Sequence, residues 1–224
     1  MAGESYRIAL VGGTGEQGPP LAVRWASKGH RVYIGSRRRE KAERVAGELM
    51  GKMRTLGLRG ELKHGVNQDV VREAEVVVLT IPYGALKPTL EALRDHLPKD
   101  AVVVNPVVPM EWKGKLCIPV HVEEGSAGEL IAKSWPEVRV VTAFQTVSAA
   151  RLADYTKPVE GDVLICGDDE EAKRVVAKLV EDIPNLRPVD CGPLLYSAAI
   201  EHIVPLLIQA GRKLKKHDLG VKLV

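Results

Sequence analysis

The sequence predicts an α/β fold of the doubly wound type, in which helices cover both faces of a parallel sheet. Two features of its 224 residues indicate this class. Short β-branched runs that are apolar throughout alternate with stretches of helical spacing, as in parallel sheets buried on both faces. A glycine-rich stretch also follows the first of these runs and precedes the first helical stretch. Such strand–helix–strand repetition implies right-handed crossovers between parallel strands.

The first two thirds of the chain carry most of the expected elements. We predict buried strands at residues 7–11, 31–34, 76–81, 101–105 and 139–143, with a weaker strand at 61–63. Helical spacing covers residues 21–28, 40–56, 69–74 and 86–96. These elements form the α/β unit that we assign to a first domain, residues 1–147.

The pattern changes in the last third of the chain. We predict a helix at 148–155, a strand at 163–166, a helix that follows the acidic residues 168–171 and runs to 181, and a final helix at 196–216. Pro205 should kink or split that last helix, since proline lacks the N–H and clashes with the preceding turn. We expect residues 148–224 to form a smaller α/β layer at the carboxyl edge of the sheet.

Composition excludes several classes of protein. The 32 basic and 29 acidic residues give a net charge of +3, which is too balanced to favour nucleic acid or a membrane surface. Only 4% of residues are aromatic, so stacking platforms for nucleic acid are not expected. The three scattered cysteines suit a reducing cytosol better than a disulfide framework. No apolar run approaches the roughly 18 residues of a membrane span. We therefore expect a cytoplasmic protein with no nucleic-acid or membrane partner.

The glycine-rich stretch IALVGGTGEQG predicts a dinucleotide site of the Rossmann type. Gly13, Gly15 and Gly18 satisfy GxGxxG between an expected strand and an expected helix. In that setting the first glycine permits a tight turn, the second lets a pyrophosphate approach the backbone, and the third lets helix and strand pack closely. The helix N-terminus then presents free N–H groups to the anion.

The end of the second strand indicates NADP. NAD sites usually place a carboxylate there to bind the ribose 2′-hydroxyl. Here the strand runs into Ser36, Arg37 and, further on, Lys41, and no carboxylate stands at its tip. A hydroxyl, a guanidinium and an ammonium would bind a 2′-phosphate, and two charge-assisted bonds could favour NADP by about 100-fold.

Several blocks of sequence together carry a family resemblance. They are GGTGEQG, GSRR with Lys41, LTIPY, NPVVP, CGDDEEAK, RPVDCGPL and the terminal LGVKL. With them the chain resembles the coenzyme F420-dependent NADP oxidoreductases from about residue 7 to residue 224. The resemblance implies reversible hydride exchange between NADP(H) and the deazaflavin F420 as co-substrate, with the smaller domain completing the deazaflavin pocket.

The resemblance also implies roles for individual residues. Thr14, Gly15, Glu16 and Gln17 would form the pyrophosphate loop, and Ser36, Arg37 and Lys41 the 2′-phosphate clamp. Tyr83, Lys87, Val108, Ala149 and Leu219 fall where the family lines its NADP site. Two positions depart from the family pattern: Gln145 stands where several members carry histidine, and Tyr83 where a tryptophan can occur.

The residues after the fourth and fifth strands suggest how the reaction proceeds. Ile81 and Pro82 stand at the end of the fourth strand, at the edge where a nicotinamide would lie, and Pro109 follows the fifth strand. The small or flat residues that suit a slot for two rings stacked face to face are Pro82, Pro109, Val147, Ser148 and Ala149. Because no His, Glu or Lys cluster accompanies them, we expect direct hydride transfer without a catalytic acid or base. No metal site is expected either.

Other functions stay open at this point. The chain could reduce a small carbonyl or imine with NADPH, for which Lys87 is the nearby proton-donor candidate, or it could reduce a flavin or ferric acceptor. It could also be a non-catalytic NADP sensor. The apolar run 203–208 exceeds what one small layer can bury, which predicts a homo-oligomer, most simply a twofold dimer.

Overall fold

The computed structural model describes residues 4–216 and 218–224. Its strands are β1 (Arg7–Val11), β2 (Arg31–Ser36), β3 (Leu62–Val66), β4 (Val76–Leu79), β5 (Val102–Asn105), β6 (Met110–Lys113), β7 (Leu116–Pro119), β8 (Arg139–Thr142), β9 (Gly161–Gly167) and β10 (Leu186–Asp190). Eight of them form one sheet in the order β10-β9-β8-β5-β4-β1-β2-β3, and β6 pairs with β7 as a separate hairpin. The expected α/β fold is confirmed.

The helices connect these strands and cover the sheet. They are α1 (Gly18–Ala26), α2 (Arg39–Thr55), α3 (Asn67–Arg72), α4 (Leu86–Leu93), α5 (Ala127–Ser134), α6 (Ala149–Ala153), α7 (Glu170–Glu181) and α8 (Ser197–Leu214). Successive residues of β1 show why the sheet needs helices on both faces. Ile8 and Leu10 pack into one apolar cluster, whereas Ala9 and Val11 pack into another, and all four are fully buried.

One pairing departs from the expected parallel sheet. β9 runs antiparallel to β8, with Thr142 opposite Cys166, although β9 and β10 are parallel to each other. A parallel connection needs a crossover of a dozen or more residues, usually a full helix. The connection between β8 and β9 contains only the five-residue α6, which at about 8 Å is too short to return along the sheet, so the chain enters β9 from the carboxyl edge.

The last helix also departs from expectation, because Pro205 does not split it. α8 runs unbroken from Ser197 to Leu214 with Pro205 buried inside it. Packing of α8 against α5 and β7 supports the turns on either side of the missing N–H. By length and composition alone, Leu194–Leu214 is apolar enough to cross a membrane, with a mean hydropathy of 1.3. In this fold the helix instead carries a buried carboxylate that joins it to the sheet.

That carboxylate belongs to Glu201, which is 1% exposed. It accepts hydrogen bonds from the Asn105 side chain at 2.9 Å and from the Ala127 and Gly128 N–H groups at 3.0 and 3.1 Å. Burial raises the pKa of Glu201 above its ordinary value, and these hydrogen bonds oppose the rise. Through Glu201, α8 is fixed to the first turn of α5 and to the carboxyl end of β5.

Candidate active site

The glycines of the glycine-rich loop differ in how much room surrounds them. A Cβ on Gly13 would come within 2.8 Å of the Leu10 carbonyl oxygen, and one on Gly18 within 2.5 Å of the Gly13 Cα, so packing of the loop against itself requires both. A Cβ on Gly15 would meet nothing closer than 3.5 Å, which is an ordinary contact. Packing therefore demands glycine at two positions of the motif, whereas the third position has room for a Cβ.

The loop leads into a helix end that no side chain caps. Gln17 stands at the N-cap of α1 without a side-chain cap hydrogen bond, and the first turn of α1 contains no acidic residue. The Gln17 side chain instead donates to the Phe144 carbonyl at 2.9 Å. Pro19 and Pro20 have no N–H, and the Leu21 N–H donates to the Gln17 carbonyl, so the first turn of α1 offers an anion the Gly18 N–H and the positive end of the helix dipole.

A second cationic site lies at the end of β2. Ser36 is buried as the last residue of β2, Arg37 is exposed, and Lys41 lies half-exposed in the first turn of α2. Arg39 is already paired with Asp69 at 2.6 Å. Within residues 4–216 and 218–224, neither Arg37 nor Lys41 has such an ion-pair partner. The strand end therefore offers a hydroxyl and two uncommitted cations.

An open cleft of about 840 Å³ runs along the carboxyl ends of the strands. One end is formed by the glycine-rich loop, the middle by the segments that follow β4, β5 and β8, and the far wall by α8 and the C-terminal segment. Its lining residues are Gly15, Glu16, Gln17, Leu79, Thr80, Ile81, Pro82, Tyr83, Pro106, Val108, Met110, Trp112, Gln145, Thr146, Val147, Ser148, Ala149, Ala150, Val204, Leu207, Ile208, Gly211, Arg212, Lys216 and Leu219.

The turn after β8 places polar groups at the base of the cleft. Phe144 is fully buried at a φ of 74°, a left-handed conformation that is rare for a bulky residue. The next residue, Gln145, is 8% exposed and donates through Nε2 to the Asn105 carbonyl. Its Oε1 is buried and has no hydrogen-bond partner in the described part of the chain. A buried acceptor without a donor costs free energy unless a ligand supplies one.

Tyr83 is the titratable group beside the middle of the cleft. Burial is the main cause that raises the pKa of its hydroxyl, and the carboxylates of Glu124 and Glu201 add to it. The hydroxyl therefore stays protonated near neutral pH and can donate a hydrogen bond. It is poorly suited to act as a base.

The structure brings most of the sequence-predicted residues together. Those that line the cleft are Gly15, Glu16, Gln17, Ile81, Pro82, Tyr83, Val108, Gln145, Val147, Ala149 and Leu219. Gly13, Thr14 and Gly18 belong to the loop that forms one end of the cleft, and Ser36, Arg37 and Lys41 lie at the neighbouring strand end. Lys87, which is exposed on α4, and Pro109 are not among the lining residues.

Sequence reasoning missed one wall of the cleft, the β6–β7 hairpin. Trp112 from β6 lines the cleft, and the Arg212 guanidinium of α8 lies 5.5 Å from its ring centroid. The missed signal was local: Gly114 begins a two-residue turn with a φ of 60°, as in primed hairpin turns. The contribution of Val204, Leu207 and Ile208 from α8 depends on a long-range contact that no local pattern encodes.

Comparisons with known proteins agree with this geometry. Residues 7–109 match the family model described as NADP oxidoreductase, coenzyme F420-dependent. Over 97% of both chains, the sequence is 38% identical to the F420-dependent NADP reductase of Methanocaldococcus jannaschii. It is 35% identical to the F420-dependent NADP reductase of Methanothermobacter thermautotrophicus over 97% of this chain and 94% of that one.

A solved structure extends the agreement to the fold. A crystal structure from Arthrobacter sp. FB24, assigned as an F420-dependent NADP reductase, superimposes with a TM-score of 0.83. The match covers 98% of this chain and all of that one at 24% identity, so it bears on the fold alone.

Proposed function

This chain belongs to the coenzyme F420-dependent NADP oxidoreductase family, and we propose that its cleft holds the two cofactors end to end, with their reactive rings meeting at the segments after β4 and β8. The enzyme is an oxidoreductase that transfers hydride between NADP(H) and F420. The observation that carries the placement is the continuity of the cleft from the glycine-rich loop to α8.

The loop fits the pyrophosphate of NADP. Gly15 lacks a packing reason to be glycine, since a Cβ there meets only ordinary contacts, and the space beside its backbone suits a close-approaching phosphate. The uncapped N-terminus of α1 adds the Gly18 N–H and a positive dipole end, although Pro19 and Pro20 supply no donors. We assign Thr14, Glu16 and Gln17 to this loop site, with Gly13 and Gly18 shaping it.

The end of β2 fits the 2′-phosphate. Ser36 supplies a hydroxyl, while Arg37 and Lys41 supply cations that are free to turn toward an anion. Cations are unfavourable at the start of a helix such as α2 unless a negative group is bound nearby. A ribose 2′-phosphate removes that mismatch, which supports a preference for NADP over NAD.

The middle of the cleft fits two flat rings that carry N–H groups. The unpartnered Gln145 Oε1 is a buried acceptor, and both a nicotinamide carboxamide and a deazaflavin ring present N–H donors. Ile81, Pro82, Val147 and Ala149 give the adjoining walls short or rigid side chains. We assign Tyr83, Val108 and Leu219 to the same ring site, and keep Lys87 and Pro109 as peripheral members.

The reaction then needs little from the protein beyond binding. When bound, the two cofactors supply a hydride donor and a hydride acceptor at ring carbons. The chain's task is to hold the rings in a productive geometry and to keep water away. The protonated hydroxyl of Tyr83 offers no base. We therefore propose direct transfer without an obligatory protein acid or base.

Organisation beyond the site is also part of the proposal. We divide the chain into residues 1–147, which bind NADP, and 148–224, which complete the deazaflavin side.

Three leucines on α8 and in the turn before it are largely exposed. The exposed fractions of Leu195, Leu206 and Leu214 are 69%, 71% and 62%, which supports burial of this surface in a cytoplasmic homodimer. Light scattering should then give the mass of two chains, and the mass of one chain at micromolar concentration would contradict it.

Replacement of Ala149 by leucine tests the ring site. The larger side chain should intrude where the rings meet, so F420 reduction by NADPH should fall severely while both cofactors still bind. Gln145→Ala and Lys87→Ala should lower the rate only modestly. If either polar substitution abolished turnover with normal binding of both cofactors, the chain would use a general acid or base and the direct mechanism would be wrong.

A further inference from the structure

The C-terminal segment 219–224 is held by a carboxylate that lies outside the cleft. Asp162, in β9, is 3% exposed. Its Oδ2 accepts the Leu223 N–H at 2.6 Å, and its own backbone N–H donates to the Val221 carbonyl at 2.8 Å. Two residues near the chain end are thus fixed to the start of one strand.

Arg187 of β10 completes this attachment. Its Nε and Nη2 donate to the two oxygens of Asp162 at 2.8 and 2.7 Å, which is a bidentate pair. The same Nη2 also donates to the Leu223 carbonyl at 2.8 Å. Asp162 therefore binds the N–H of Leu223 while Arg187 binds its C=O, so both backbone polar groups of one tail residue are satisfied by a single ion pair.

This attachment determines where Leu219 lies. Between the anchored residues and Leu219 stands Gly220, which packs so closely that a Cβ would lie 3.2 Å from the Thr146 carbonyl oxygen. On the other side, the Lys216 N–H donates to the Gly211 carbonyl at 2.8 Å, which ties the chain to the end of α8. Leu219 thus lines the cleft between two fixed points.

The β9–β10 pairing does not itself need the ion pair. The two strands are registered through five residue pairs from Leu186 opposite Gly161 to Asp190 opposite Ile165, and Arg187 and Asp162 are one of them. Parallel strands hold their register through the backbone ladder. What depends on the two side chains is the docking of the tail.

We propose that Asp162 and Arg187 are positioning residues for hydride transfer, which touch neither cofactor and act by holding Leu219 as a wall of the ring site. The inference rests on the proposed placement of the rings in the cleft. Leu219 lines the same cleft as Val147 and Ala149, so a loosened tail widens the slot and admits water. Cofactor affinity and ring approach should both suffer.

Asp162→Asn tests the anchor, with Glu160→Gln as its matched control. The Asp162→Asn change removes the charge but leaves no buried cation, because the Arg187 side chain is 59% exposed. Glu160 lies two residues away and pairs with Lys222 of the same tail at 3.5 Å, but both side chains are 63% exposed. We expect Asp162→Asn to raise KM for at least one cofactor about ten-fold and to speed amide exchange at Leu223. Glu160→Gln should change either quantity less than about two-fold.

A double substitution shows whether Asp162 acts through Leu219. Leu219→Ala alone should raise KM if the rings lie where we place them. Adding Asp162→Asn to Leu219→Ala should then raise KM little further, because the wall that the anchor positions has already been removed. Independent, multiplying effects of the two substitutions would overturn the inference, as would an unchanged KM in Asp162→Asn.

The outcomes separate the inference from the proposed function. If Leu219→Ala leaves both KM values unchanged, the ring placement fails and the anchor proposal fails with it. If Leu219→Ala raises KM but Asp162→Asn does not, only the anchor proposal is wrong. Should Asp162→Asn fail to fold, deletion of residues 221–224 removes the anchored segment itself. That deletion must then reproduce the KM increase, and normal KM values in it would refute the inference.

Discussion

Gly15 and Gly18 belong to one motif, but different physical requirements account for the absence of a side chain at each. A side chain at Gly18 would overlap the backbone of Gly13, whereas one at Gly15 would meet only ordinary contacts. Packing therefore requires glycine at position 18, whereas at position 15 we attribute the glycine to close approach of the NADP pyrophosphate.

Alanine at each position should separate the two demands. We expect Gly15→Ala to leave the melting temperature of the cofactor-free protein unchanged and to weaken NADPH binding at least about ten-fold, since one methyl group occupies the phosphate's space. Gly18→Ala should instead lower the free energy of unfolding by about 1–3 kcal/mol, the range for overpacking. Calorimetry of both variants with and without NADPH measures their stability and their affinity for NADPH. A strongly destabilised Gly15→Ala would contradict this division.

Arg37 and Arg39 lie close together in sequence but differ in their ion pairing. Arg39 is paired with Asp69, whereas Arg37 has no ion-pair partner within residues 4–216 and 218–224. Arg37→Ala should raise KM for NADPH far more than it lowers kcat, and it should leave KM for NADH almost unchanged, because only NADPH carries the 2′-phosphate. Arg39→Ala is the control and should change the NADPH-to-NADH ratio of kcat/KM little. Equal ratios in the unaltered protein and in Arg37→Ala would refute the clamp.

The elements that sequence reasoning found share a simple local signal. Strands such as β1 and β4 are apolar on both faces, and the acidic stretch at the start of α7 includes its N-cap, Asp169, which accepts the Ala172 N–H at 2.7 Å. β10 was missed because Pro188 and two charges argue against a strand. It tolerates them as an edge strand of the sheet.

α5 and α8 show two different reasons for failure. α5 carries a readable signal, a capping box in which Ser126 accepts the Glu129 N–H at 3.0 Å, and it was overlooked. α8 was expected as a helix, but its position over the cleft depends on Glu201 meeting Asn105, 96 residues away in sequence. Local periodicity predicts that a helix forms and carries no information on where it docks.

The β6–β7 hairpin gives the cleft an aromatic wall. Trp112 is 55% exposed, the Arg212 guanidinium lies 5.5 Å from its ring centroid, and Trp112 belongs neither to the glycine-rich loop nor to the end of β2, where we place the phosphates of NADP. Trp112→Ala should therefore raise KM for F420 several-fold and leave KM for NADPH unchanged, since base–aromatic contacts contribute about 1–3 kcal/mol. Steady-state kinetics with each cofactor varied in turn will show this. A selective effect on NADPH would mean that the two cofactors lie in the opposite order.

A hydrogen bond joins the segment before β2 to the residue that follows α7. The His30 ring, before β2, hydrogen-bonds to Asp182 after α7 at 2.9 Å, and Lys178 also donates to that carboxylate. Burial alone would raise the pKa of Asp182, but the hydrogen bonds from Lys178 and His30 outweigh it and lower the pKa below its ordinary value of 3.8. A carboxyl with a lowered native pKa stabilises the fold fully above its unfolded pKa and loses that effect as pH falls through the native pKa.

Asp182→Asn should expose this pH dependence. At pH 6 the variant should unfold with a free energy about 1.5–3 kcal/mol smaller than the unaltered protein, as for hydrogen bonds to charged groups. The difference should shrink as the pH falls from the ordinary value of 3.8 through the lowered native pKa, below which the carboxyl is protonated in the folded and the unfolded state alike. Urea unfolding at a series of pH values measures it. A difference that grows on acidification would contradict the assignment.

Elements from all parts of the fold position the cleft in which we place the nicotinamide and deazaflavin rings. The sheet fixes the loop, the strand ends and the turn after β8 along one edge, Glu201 fixes α8 above them, and the Asp162–Arg187 pair fixes the tail. Glu201 and the Asp162–Arg187 pair both lie outside the space where the rings would meet. The mechanism proposed above depends on this positioning, and its central claim is that the hydride passes directly between the rings.

Isotope transfer tests that claim most directly. NADPH carrying deuterium at C4 in one or the other epimeric position is mixed with the enzyme and F420 in ordinary water, and the reduced deazaflavin is analysed by mass spectrometry. Direct transfer in a fixed cleft predicts that one epimer delivers its deuterium to the deazaflavin in full and the other delivers none. Loss of the deuterium to water from both epimers, or equal delivery from both, would contradict the account.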